Sequence, residues 1–158
     1  MIPIPKNKVT LRQATLADVD ALSALTDAAY SKYIPLIGRK PLPMIADYYK
    51  MVIDNTIWLL YVDDHLAGVL VLEYEPETML IYSVAIQPEY QKQGLGLRLL
   101  DWAEGQALKA GYQTIRLYTN ELFTYNINLY LSLGYQETSR EPMLNSTLVH
   151  MSKNLASR

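Results

Sequence analysis

Apolar and polar residues change period several times along this chain, and each change marks an element. Val9-Thr10-Leu11-Arg12 alternates apolar and polar and predicts a first strand. Thr15-x-x-Asp18 then forms a variant capping box, and Val19, Leu22, Leu25 and Ala29 make the apolar stripe of a helix. That helix gives out in Tyr30-Ser31-Lys32-Tyr33-Ile34-Pro35. Gly38, Pro41 and Pro43 predict irregular chain, followed by a second helix over about 44–53. Residues 57–62 and 66–73 read as the strands of a hairpin that turns at Asp63-Asp64. Gly68 inside the second strand signals a bulge or a close backbone approach.

The stretch 80–110 organises the rest. Leu80-Ile81-Tyr82-Ser83-Val84-Ala85-Ile86 is an apolar run of strand length, and Pro88, which lacks a donor, stops it. After Gln91-Lys92-Gln93-Gly94-Leu95-Gly96 the period changes. Leu95, Leu99, Ala103 and Ala107 recur at every fourth position with Leu100 beside them, which predicts a helix. Gly111 suits the left-handed position past its end, and Lys109 complements the dipole of its last turn. A further strand is expected over 114–119. A helix carrying Leu122, Asn126, Leu129, Tyr130 and Leu133 follows, capped by Thr119 or Asn120 and ended by Gly134. The last strands are expected over 135–139 and 147–152. Residues 1–8 read as a lead-in, 9–153 as a single domain and 154–158 as a tail.

A strand that feeds a glycine-bearing loop and then a helix is a candidate phosphate cradle. The first-turn amides of a helix have no internal partner and carry partial positive charge. Glycines at 94 and 96 remove the side chains that would hold an anion away. Glycine spacing alone is met equally by a tight turn. No Walker A string occurs, and a dinucleotide fingerprint would need glycine where Leu99 stands.

Bulk properties narrow the class. The chain has 158 residues, 50% hydrophobic and 19% charged, with a formal net charge of −2. This suits one globular domain and lacks the basic excess of a general nucleic-acid binder. The absence of cysteine excludes disulfides, thiolate metal sites and a cysteine acyl-enzyme. No apolar run approaches the roughly 18 residues of a membrane span, and the N-terminal residues lack the apolar core of a signal peptide. A soluble, cytoplasmic protein without nucleic-acid or membrane partners is expected. Thirteen Tyr stand against one Phe, which fits half-buried sheet tyrosines or a polar-tipped pocket.

In order, Val84-Ala85-Ile86, Pro88 and Gln91-Lys92-Gln93-Gly94-Leu95-Gly96 resemble the acyl-CoA-binding motif of the GNAT superfamily of N-acyltransferases. Asn126-x-x-Leu129-Tyr130-x-x-Leu133-Gly134-Tyr135 is similar to its second signature, and the resemblance covers about residues 9–153. It implies an α/β fold: a mixed sheet of about seven mostly antiparallel strands, a splayed parallel pair over 80–86 and 114–119, and four helices. It implies acetyl-CoA or another acyl-CoA as co-substrate, and no metal.

The same resemblance assigns roles. The amides of Gln91, Lys92, Gln93, Gly94, Leu95 and Gly96 would bind the pyrophosphate, with charge from Lys92 and Arg98. Val84, Ala85 and Ile86 would line the pantetheine arm, Val84 and Ile86 pairing with it through their main chains. A backbone N–H there can polarise the thioester carbonyl. Asn126 and Asn120 are candidates for cofactor hydrogen bonds, with helix capping open for Asn120. Tyr130 matches the tyrosine that faces the sulfur as general acid. Full transfer from a free Tyr to a thiolate is uphill by roughly 2 kcal/mol, so hydrogen bonding to developing charge or late transfer would serve. Tyr30, Tyr33, Arg39 and Lys40 are candidates for acceptor contacts.

The general base does not carry over. One branch of the family uses a Glu where Leu80 stands. Glu73 is the nearest substitute, with Glu77 behind it, and a water chain ending on Tyr82 or a carbonyl is equally open. His150, alone in a strand, reads as structural. The expected function is direct transfer of an acyl group to a primary amine of a small molecule or peptide. The alternative is a module of the same fold that binds acyl-CoA without turnover. The Ser139-Arg140-Glu141-Pro142 loop is left to the cleft or to a homodimer contact.

Overall fold

A computed structural model describes residues 8–54 and 56–157 of the chain. Its elements are β1 (Val9–Gln13), α1 (Val19–Tyr30), α2 (Ile34–Ile37), α3 (Tyr48–Asp54), β2 (Thr56–Val62), β3 (His65–Tyr74), β4 (Met79–Ile86), α4 (Leu95–Lys109), β5 (Thr114–Asn120), α5 (Thr124–Ser132), β6 (Gln136–Met143) and β7 (Ser146–Asn154). The strands form one seven-stranded sheet in the order β1-β2-β3-β4-β5-β7-β6. β4 and β5 are the parallel pair, in register as Met79↔Ile115, Leu80↔Arg116 and Ile81↔Leu117. This is the expected mixed α/β architecture. The single-turn α2 stands beside the four longer helices.

Contacts group the chain into two compact units, Met1–Leu72 with Ser83–Trp102, and Glu73–Tyr82 with Ala103–Arg158. In the first, the capping box closes as predicted: the Thr15 amide donates to Asp18 Oδ2 at 2.7 Å. The α1 stripe of Val19, Leu22, Leu25 and Ala29 is buried. Asp63 and Asp64 turn the β2–β3 hairpin with φ of 49° and 72°, the positive values that a tight hairpin turn needs. Residues 67–72 are buried without alternation, as in a strand covered on both faces. Gly68 meets both expectations. The β2–β3 register shifts opposite it, between Leu60 and Tyr61. A Cβ on it would also stand 3.0 Å from Ile86 Cδ1 and 3.1 Å from Leu99 Cδ1.

Two expectations in this unit are corrected. Where the first helix was expected to give out, a 3-10 turn at Ser31–Tyr33 leads into α2, which ends at Gly38 with φ 75°, and the irregular chain expected around Gly38, Pro41 and Pro43 follows it. The second helix starts at Tyr48, because Asp47 Oδ1 accepts the Lys50 amide at 3.2 Å and caps it there. Leu42–Met44 is a separate 3-10 turn. The lead-in lies outside the described residues up to Lys8, whose amide donates to Asp63 Oδ1 at 2.8 Å.

In the second unit β5 and β7 alternate faces. Ile115, Leu117, Val149 and Met151 are buried, while Arg116, Tyr118, His150 and Ser152 share the opposite side through the Arg116↔Ser152 and Tyr118↔His150 pairings. Tyr135 is buried, and its hydroxyl donates to the buried Glu104 at 3.3 Å. Lys153 Nζ reaches the same carboxylate at 3.0 and 3.2 Å. β6 continues to Met143, so the residues read as a 139–142 loop are strand, bulged between Glu137 and Ser139. The position before α5 belongs to Phe123, not to Thr119 or Asn120. β7 runs to Asn154, and Leu155 is buried in a closing turn. Among the described residues no helix is long and apolar enough to cross a membrane.

Candidate functional site

The glycine loop of the first unit is shaped by its own backbone. Lys92 has φ 63° and Gly94 φ 83°, so two left-handed residues alternate with ordinary ones just before α4. Such alternation turns successive amides toward one concavity, which favours an anion. The Arg98 amide donates to the Gly94 carbonyl at 3.2 Å and opens the ladder of this 15-residue helix. The amides of Leu95, Gly96 and Leu97 precede that ladder. A Cβ at Gly94 would meet nothing within 4 Å, and one at Gly96 only Ile86 Cγ1 at 4.0 Å. The space above the loop is open, and the donors beneath it suit a diphosphate.

Gln91 holds this shape. Its Nε2 donates to the Ile86 carbonyl at 3.0 Å, and its Oε1 accepts from Lys32 Nζ at 3.3 Å. Lys32 also lies 5.2 Å from the centre of the Tyr33 ring. The Gln91 side chain is thus a strut from loop to strand, a role that the motif spacing alone does not show. Lys92 and Arg98 are exposed, Gln93 is half-buried, and Leu95 is buried as the first core residue of α4.

Tyr30 stands on the same strand end. Its hydroxyl donates to the Val84 carbonyl at 3.1 Å and lies 3.4 Å from Oγ of the buried Ser83. With its one proton spent on Val84, the phenol can only accept from Ser83. Burial pushes its pKa above the ordinary value. Tyr33 packs 5.9 Å from Tyr30, ring to ring. Ala85 is buried, and Val84 and Ile86 are half-buried. Arg39 Nη1 donates to the Lys40 carbonyl at 3.1 Å, and Lys40 is exposed.

The second unit carries the remaining candidates. Tyr130 is half-buried on α5, 6.0 Å from the Tyr135 ring. Its carbonyl accepts the amides of Leu133 and Tyr135, which end the helix just before Gly134 at φ 97°. Asn126 is half-buried on the same helix. Asn120 is buried: its Nδ2 donates to Ser146 Oγ at 2.6 Å and its Oδ1 accepts the Leu122 amide at 2.9 Å. Its side chain thus ties the strand end to the β6–β7 turn. Glu73 is half-buried. Tyr118 is pushed above its ordinary pKa by burial first and then by the Glu73 charge.

Sequence reasoning left Tyr118 as a strand residue and did not link Arg116 to anything. Arg116 grips Glu75 with Nε–Oε1 and Nη2–Oε2 both at 2.7 Å, and its Nη1 lies 3.4 Å from His150 Nδ1. His150 Nε2 lies 2.7 Å from Glu141 Oε1. The alternation of strand 114–119 was the available signal, since it put Arg116 and Tyr118 on one face.

Residues 22–135 match the acetyltransferase (GNAT) family. An uncharacterized N-acetyltransferase, YvbK, of Bacillus subtilis (strain 168) is 31% identical over 99 residues, which is 59% of this chain and 64% of that protein. The fold is similar to the PaiA N-acetyltransferase of Thermoplasma acidophilum in complex with coenzyme A, with TM-score 0.77 and 16% identity, covering 93% of this chain and 99% of that one. It is also similar to a GNAT family acetyltransferase of Elizabethkingia anophelis with acetyl-CoA bound, with TM-score 0.70 and 19% identity, covering 92% and 97%. With the glycine loop, the sheet order and the matched span in agreement, this chain belongs to the GNAT acetyltransferase family.

Proposed function

We propose that this protein transfers an acyl group from acetyl-CoA, or another acyl-CoA, directly to a primary amine of a small molecule or peptide. The observation that carries this reading is the loop 91–96. Its left-handed Lys92 and Gly94 and its unobstructed space lie at the start of α4. Its amides hold the diphosphate, and the helix dipole adds to them. The main chain of 84–86 aligns the pantetheine arm. The acyl-CoA would supply the thioester, with CoA thiolate as the leaving group. Tyr130 donates a hydrogen bond toward that thiolate as charge develops, and Asn126 hydrogen-bonds the cofactor. Glu73 takes the proton of the incoming ammonium.

Gly96→Leu is the cleanest test. Gly96 does not have a left-handed φ, so the added side chain fills the space without backbone strain. With circular dichroism and Tm showing a native fold, the affinity for acetyl-CoA should fall by about tenfold or more. Unchanged affinity overturns the reading. Release of free thiol from acetyl-CoA across a panel of amines separates a transferase from a module that only binds.

A further inference from the structure

The second unit joins α4, β7 and the chain just past α5 at one buried carboxylate. Glu104 of α4 accepts from Lys153 Nζ of β7 at 3.0 and 3.2 Å, and from the Tyr135 hydroxyl at 3.3 Å. Lys153 Nζ also lies 5.8 Å from the centre of the Tyr135 ring. Its stem runs beside Gly134, where a Cβ would stand 3.4 Å from Lys153 Cε. Glu104 and Tyr135 are both buried. A buried ion pair is often no more stabilising than apolar side chains of the same volume. What the pair fixes in place is therefore the better guide to what it does.

It fixes Tyr135. Burial of the ring alone would be served by Phe; the hydroxyl adds a tether that sets the depth and tilt of that ring. The ring meets that of Tyr130 at 6.0 Å and 63°, an edge-to-face contact whose energy depends on orientation. The Tyr135 amide also donates to the Tyr130 carbonyl at 3.0 Å. α5 fixes little by itself: none of its residues is buried, whereas Phe123 before it and Tyr135 after it are. The helix that carries Tyr130 is thus keyed from its ends, and Tyr135 is the buried end nearer to Tyr130 in the chain.

We propose that Glu104, Lys153 and Tyr135 are positioning residues for acyl transfer: Lys153 holds the carboxylate, the carboxylate holds the Tyr135 ring, and that ring orients Tyr130 for its hydrogen bond to the leaving thiolate. The last step of this chain rests on the acyltransferase reading; the hold on the Tyr130 ring does not.

Two variants without the ion pair separate the tether from the charges. E104Q/K153M leaves the Tyr135 hydroxyl an amide oxygen as acceptor, and E104L/K153M takes that acceptor away. With isotope-labelled tyrosine rings and no cofactor present, the Tyr130 ring resonances should move in E104L/K153M and stay near wild type in E104Q/K153M. Tyr135→Phe keeps both the ring and the ion pair, and it should move them too; Tm checks that each variant is folded. Unmoved Tyr130 resonances in folded E104L/K153M or Tyr135→Phe overturn the proposal. Thiol release from acetyl-CoA, with the fastest amine of the panel, should show kcat about tenfold lower in Tyr135→Phe and E104L/K153M, with KM for acetyl-CoA unchanged and kcat recovered in E104Q/K153M. In a Tyr130→Phe background, Tyr135→Phe should cost nothing more, because both act through one group. An equal loss in both backgrounds shows a structural role alone and overturns the proposal, as does an unchanged kcat in Tyr135→Phe. Moved ring resonances with no thiol release on any amine keep the hold on Tyr130 and overturn the acyltransferase reading.

Discussion

The Tyr30 hydroxyl donates to the carbonyl oxygen of Val84 across 3.1 Å, so the last residue of α1 grips the end of β4. Val84 is one of the residues expected to align the pantetheine arm, which makes Tyr30 a brace for that strand. Tyr30→Phe keeps the ring and removes the bond. One such hydrogen bond is worth about 1 kcal/mol. We expect a fall of a few °C in Tm and a rise of about three- to tenfold in KM for acetyl-CoA, with kcat changed less. Steady-state kinetics with acetyl-CoA varied will measure it. An unchanged KM would show that the brace does not reach the cofactor.

Gln91 braces the same loop from the other side, through Ile86 and Lys32. Gln91→Ala should weaken acetyl-CoA binding about fivefold by calorimetry, since about 1 kcal/mol of loop organisation is lost. Gln91→Glu loses the donor to Ile86 but gains attraction to Lys32, and it places a negative charge beside the diphosphate. It should bind more weakly than the alanine variant.

Gly68 tests packing behind the loop. A valine there must displace Ile86 and Leu99, whose methyls already lie 3.0 and 3.1 Å from the position of a Cβ. Overpacking of this kind costs about 1 to 3 kcal/mol. Urea denaturation of Gly68→Val should show that loss. Gly105→Ala, where a Cβ meets open space inside α4, should be neutral or stabilising.

The Glu104–Lys153 pair tests the second core. The Glu104 side chain is 7% exposed and that of Lys153 21%. Lys153→Met removes the opposing charge from a buried carboxylate, which the Tyr135 hydroxyl still contacts, and should cost about 2 to 4 kcal/mol. Adding Glu104→Leu should restore most of it. A double variant as unstable as the single one would show that the pair itself, not the cost of a desolvated carboxylate, carries the stability.

Asp18 gives a pH dependence with a definite sign. Arg12 donates to both of its oxygens, at 2.9 and 2.8 Å, and holds its carboxyl well below the ordinary range. A carboxyl depressed in the folded state stabilises above its unfolded pKa, near 4, and that stability is lost as pH falls below it. Wild type should therefore exceed Asp18→Asn by about 1 kcal/mol at pH 7, mostly through the paired bonds from Arg12, since an Asn oxygen can still accept the Thr15 amide. The gap should shrink below about pH 4. Paired denaturation curves from pH 7 to pH 3 will show whether it does.

Much of this protein was legible from order along the chain. The stripe of Leu95, Leu99, Ala103 and Ala107 announced α4, and all four are buried. Gly111 and Gly134, read as helix ends, do adopt positive φ. These signals are local: a helix period, a strand alternation or a left-handed turn constrains residues a few positions apart, so neighbours in sequence suffice to read it. Tertiary structure decided what individual polar side chains do. Asn120 suited a helix cap or a cofactor contact, yet its partners are Ser146 and the Leu122 amide. Tyr30 reaches β4, 54 positions on, and Arg116 finds Glu75, 41 positions back. The 139–142 stretch, with its Pro and charges, is an edge strand because β7 lies beside it. Polar partners of this kind depend on sheet register and on which chain segments meet, and loop closure over such distances is set by the whole fold rather than by any residue in it.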